Sequence, residues 1–94
     1  MTTDKTKASI ILDTASNLLK ERGKQRDSEE GERSMAATVK AFNALKGTTL
    51  SEVDGWQFME LLKISRSCQG GHQPDDYIDG AAYAALAGEA ADTD

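Results

Sequence analysis

The sequence predicts an all-α protein, a compact bundle of about four helices whose third and fourth members form an antiparallel hairpin. Three observations carry this. Apolar residues recur at three- and four-residue spacing in four successive stretches. Capping residues precede those stretches and glycines follow most of them, where helix starts and stops are expected. No run alternates apolar and polar residues as a half-buried strand would, and the single proline, Pro74, leaves the helices unbroken.

The first helix is expected from about Lys5 to Arg22. Ile11, Ala15, Leu18 and Leu19 share a face, Ile10 and Leu12 widen it, and Gly23 takes the C-terminal cap position. The second is expected to begin near Asp27, where Asp27 and Glu30 have capping-box spacing and Ser28 is an equally good cap. Glu29, Glu30 and Glu32 fall in its first turns, where the helix dipole favours acids. Met35, Val39, Phe42 and Leu45 keep its period and Gly47 closes it. Ser51, followed by Glu52 and Asp54, caps a third helix that runs to about Cys68 and ends at Gly70-Gly71. There Val53, Trp56, Phe58, Met59, Leu61, Leu62 and Ile64 leave only a polar strip of Glu60, Lys63 and Ser67. That pattern marks the central, most buried helix. Trp56 and Phe58 lie on roughly opposite flanks of it; each is expected in the core, with a subunit interface as the alternative place for one of them. The fourth helix is expected from about Pro74 to Ala91, with proline in its first turn and Ile78, Ala82, Ala85 and Leu86 on a smooth packing face. Residues 92–94 are expected to fray. The reading is one domain, 1–94, ordered over about 5–91.

Composition bounds the function. A chain of 94 residues with a 38% apolar share builds a real but thin core, which invites self-association. A net charge of −5 disfavours nucleic acid and anionic membranes as partners, and no helix is basic along one face. Lys20, Arg22, Lys24 and Arg26 do cluster, either as a solvated helix end or as an anion contact. The single cysteine, Cys68, precludes an internal disulfide and fits a reducing cytoplasm. It is expected to be a buried structural thiol, since no third group orients it with His72. The Ile10–Leu19 stretch is too short and too polar for a signal peptide or membrane span.

One constellation carries chemistry. Glu60 and Lys63 project from the polar strip of helix three. Asp76 and Asp79 share a face of helix four, and Tyr83 continues it. The short connection makes the two helices antiparallel neighbours, with Arg66 near Asp76 and Lys63 nearer Asp79. Three readings stand: an interhelical ion-pair network that fixes register, a carboxylate set for a hard divalent cation that holds a nucleotide phosphate, or a protein-contact surface.

Three groups of residues carry a resemblance. They are Glu32-Arg33-Ser34-Met35 with Thr38-Val39 and Ala41-Phe42-Asn43; Gly55-Trp56 with Phe58-Met59 and Leu62-Lys63; and Asp76-Tyr77-Ile78-Asp79 with Ala82-Tyr83-Ala84-Ala85-Leu86. Together they resemble a family of small phage and prophage proteins of unknown function, over roughly residues 8–91. The resemblance implies a helical fold and the cytoplasm of an infected bacterium, and no activity. A more distant likeness is to the all-α nucleotide pyrophosphohydrolases of the MazG type, in which an E-x-x-E helix and an E-x-x-D helix hold magnesium against a nucleoside triphosphate. The matching positions read Glu60-x-x-Lys63 and Asp76-x-x-Asp79, so Glu60, Asp76 and Asp79 are the candidate metal ligands. Lys63 departs from that pattern, because a cation stands where a ligand belongs. Lys63, Arg66, Tyr83, Glu32 and Arg33 are the accompanying ligand or ion-pair candidates. The leading expectation is a non-catalytic helical module without a cofactor, acting through self-association or a protein partner. The alternatives are a magnesium-dependent nucleotide protein and an inhibitor of a host or anti-phage defence protein.

Overall fold

The structure, a computed structural model, describes residues 7–26 and 34–92. These residues form four helices and no strand: α1 (Ala8–Arg26), α2 (Ser34–Lys46), α3 (Glu52–Ser67) and α4 (Pro74–Asp92). None is long and apolar enough to cross a membrane. The expected start of the second helix, with Asp27, Ser28, Glu29 and Glu30, lies outside the described residues.

Local chemistry sets most helix ends. The α3 N-terminus is a full capping box: Ser51 Oγ accepts the Asp54 N–H at 3.0 Å, and Asp54 Oδ2 accepts the Ser51 N–H at 2.8 Å. Gly47 (φ 69°) ends α2 in the left-handed region, its N–H donating to the Asn43 carbonyl at 2.8 Å. Gly70 (φ 72°) turns the chain after α3. Gly23 is the exception. α1 runs through it to Arg26, so it is not a cap. A lone helical glycine costs roughly 1 kcal/mol, which a helix of this length absorbs when good helix formers such as Lys24 and Gln25 follow.

α3 packs on α4, α2 packs on α3, and α1 packs on α4. Three contacts give the direction of the α3–α4 pair. Lys63 meets Asp79, Trp56 stacks on Tyr83, and Trp56 clusters with Ala87 and Ala90. Residue numbers fall along α3 as they rise along α4, so the two helices form the expected antiparallel hairpin. One apolar cluster joins α1 to α4 through Ala15, Ile78 and Ala82, and the other centres on Trp56.

The core is thin. Among the described residues seven are buried, four of them alanines, and no large side chain is less than 2% exposed. α4, with its alanines, supplies Ile78, Ala82, Ala87 and Ala90 to this core, while α3 supplies Trp56 alone. The expectation that α3 is the most buried helix is therefore corrected. It is flanked by α2 and α4, but α1 docks on α4, and nothing among the described residues covers the outer face of α3. α2 departs in the same way. Val39 is buried and Met35 half-buried, but Phe42 and Leu45 are exposed.

Candidate functional site: the α3–α4 seam and the outer face of α3

Lys63 lies on the polar strip that α3 turns toward α4. Its Nζ stands 3.0 Å from Asp79 Oδ2, with side-chain exposures of 13% and 20%. Gly80 faces Lys63 across the seam, but a methyl there would lie at an ordinary 3.8 Å from Lys63 Cβ, so the approach of the helices does not require a glycine. Beside the pair is a shallow depression of about 230 Å³, lined by Glu60, Lys63, Ile64, Ser67, Asp76 and Tyr77 with small residues of α4. Glu60 and Asp76 are half-buried at its edge.

The other candidates fall elsewhere. Arg66 is exposed and forms no ion pair with Asp76. Tyr83 turns its ring to Trp56, with centroids 5.8 Å apart and planes 23° from parallel, and so belongs to the apolar cluster. Glu32 and Arg33 lie outside the described residues, as do the side chains of Lys24 and Arg26. Cys68 is exposed and not buried, because it is the C-cap residue of α3, where the chain leaves the bundle. The His72 ring stacks on Tyr77 at 5.7 Å.

A divalent cation asks for several oxygens around one point. Among the described residues no three Asp, Glu, His or Cys side chains converge in that way. Of the candidate ligands, Asp79 is paired with Lys63, while Glu60 and Asp76 border the depression beside that pair.

Two features escaped the sequence reading. The first is Asn43, whose amide locks the α2–α3 loop. Its Nδ2 donates to the Leu50 carbonyl at 2.9 Å, while its Oδ1 accepts the Leu50 N–H at 3.0 Å and the Thr48 hydroxyl at 2.7 Å. The second is the extent of the outer face of α3, where Phe58 is 70%, Leu61 62%, Leu62 39% and Ile64 52% exposed. The signal for it was present: a helix apolar nearly all round needs neighbours on every side, and among the described residues only α2 and α4 pack on it.

Fold and site together define a small all-α bundle with an ion pair closing its central hairpin and an apolar face left open on its third helix. The chain belongs to a family described as a domain of unknown function, DUF6378, whose model matches residues 10–91. No curated protein and no solved structure matches it.

Proposed function

We propose that this chain is a non-catalytic helical module that works by associating with a second copy of itself, and that its setting is the cytoplasm of a phage-infected bacterium. The observation that carries the self-association is the outer face of α3, where Phe58, Leu61, Leu62 and Ile64 stand in water. Together they expose on the order of 400 Å² of apolar surface, about half of what a standard interface takes from each partner. The polar side chains bordering them supply a rim of the usual kind. The thin core gives the second copy a thermodynamic role, since it buries surface that four short helices leave open. The setting draws on the resemblance to phage and prophage proteins in the three residue groups named above.

The seam supports a structural role for its charges. Lys63 neutralises Asp79, and the two together fix the register of α3 against α4. Sedimentation velocity at tens of micromolar tests the reading. We expect a dimer for the wild type and a monomer of unchanged helicity for Leu61→Glu. A wild-type monomer at that concentration overturns it. So does calorimetry that finds a nucleoside triphosphate bound at the seam, with or without magnesium, and phosphate released from it.

A further inference from the structure

A cleft between α1 and α2 is a separate place in this bundle where apolar side chains and an unpaired charge come together. We infer that it binds a small aromatic anion, a carboxylate carried on one or two rings. The outer face of α3 takes no part in it, so this cleft and the self-association proposed above stand or fall separately.

α1 packs on α4 and α2 packs on α3, but α1 and α2 do not pack on each other. Between them a cleft of about 260 Å³ stays open and reaches both α3 and α4. Ligand pockets begin at about 300 Å³, so this one takes a body of one or two rings and no larger. Its floor is the Trp56–Tyr83 stack. Met35 and Met59, both half-buried, line it beside the rings. A flat aromatic body suits that lining. Rings gain from stacked and edge contacts with other rings, and the unbranched thioether chains adjust to the shape they enclose.

Charge fixes the other end of the ligand. Arg22, on the α1 wall, is the one charged residue that lines the cleft among the described residues. It is exposed and pairs with no acid among them. An arginine so placed lays its stem on the apolar wall and holds its guanidinium in the water at the mouth. A guanidinium beside an apolar hollow matches a carboxylate, which it can grip with two parallel hydrogen bonds. An amine finds no counterpart, because no Asp or Glu among the described residues lines the cleft.

The single tryptophan provides the test. Trp56 lines the cleft and has no second indole to overlap with it, so its indole N–H gives one resonance to follow by heteronuclear NMR. Naphthoate is expected to shift that resonance to saturation, with a dissociation constant on the order of 1 mM. Naphthylmethanol, the same rings without the charge, is expected to bind about fivefold more weakly, and naphthylmethylamine more weakly still. Arg22→Gln, an exposed change, should bring naphthoate down to the level of the alcohol and leave the alcohol and the urea midpoint unchanged. Thr38, exposed on the α2 wall, spends its hydroxyl proton on the Ser34 carbonyl at 2.9 Å. Thr38→Phe places a ring in the cleft and is expected to abolish the shift with all three compounds. A Trp56 resonance that none of the three moves overturns the site. So do equal affinities for all three with Arg22→Gln indifferent, the mark of adsorption to any apolar surface. If Thr38→Phe fails to fold, the Arg22→Gln comparison alone decides.

Discussion

Lys63 and Asp79 meet with most of each side chain out of water, and at that depth the consequence of losing one partner differs from losing both. An exposed ion pair contributes at most about 1 kcal/mol. A charge stranded in a buried site costs several kcal/mol, while an apolar pair of similar volume often replaces a buried ion pair without loss. Asp79→Ala is therefore expected to destabilise the fold by about 2 kcal/mol, between those limits. The double change Lys63→Met with Asp79→Leu is expected to recover to within about 1 kcal/mol of the wild type. Urea titrations of the wild type, Lys63→Met, Asp79→Leu and the double variant measure the coupling. An Asp79→Ala protein as stable as the wild type shows that the pair does not hold the seam. The Lys63–Asp79 contact was legible in the sequence because helical spacing and a short connection put the two side chains on facing strips. The expected neighbour pair, Arg66 with Asp76, was not. Arg66 lies three residues beyond Lys63, about 60° round the helix, and that rotation takes it out of the seam into solvent.

At the scale of elements, the signals that read correctly were those whose cause is local. Ser51 with Asp54, Gly47, Gly70 and Pro74 act through hydrogen bonds or backbone angles within a few residues, and the structure uses each of them at a helix boundary. Gly23 misled because the same residue type serves as a cap or is tolerated inside a helix, and what decides is the propensity of the residues that follow. Gly55 shows a third use, which no local signal reveals. It lies where α2 crosses α3, and a methyl there would stand 2.5 Å from Met35 Sδ and 2.9 Å from Val39 Cγ2. The methionine can swing aside, but the β-branched valine has little rotamer freedom in a helix. Gly88, in the interior of α4, has nothing within 4 Å of the same position and is exposed. One substitution should thus act with opposite signs. Gly55→Ala is expected to cost about 1–2 kcal/mol through overpacking, and Gly88→Ala to add roughly 1 kcal/mol through helix propensity. Thermal melts of the two variants read this directly, and a stabilised Gly55→Ala protein would show that α2 sits more loosely on α3 than its close approach implies.

For the whole molecule, periodicity gave the number of helices and the α3–α4 hairpin but not which helix the others surround. An apolar girdle such as that of α3 reads equally as a buried centre or as a helix shared between two bundles. The choice depends on where α1 docks, which is a long-range matter that sequence spacing does not encode. α1 docks on α4, and Phe58, Leu61, Leu62 and Ile64 are left outside. If a second copy covers them, folding and association are linked, because the dimer is formed by the native chain and not by the unfolded one. Stability then rises with protein concentration. A hundredfold increase above the dissociation constant contributes about 2.7 kcal/mol per dimer, which for a domain of this size moves the thermal midpoint upward by roughly 5 °C. Leu61→Glu should remove that dependence while leaving the midpoint at low concentration little changed, since the side chain it replaces is 62% exposed in the single chain. Calorimetric scans of both proteins over two decades of concentration measure it. A wild-type midpoint that does not move over that range means that the face stays bare and that the thin core alone holds the bundle.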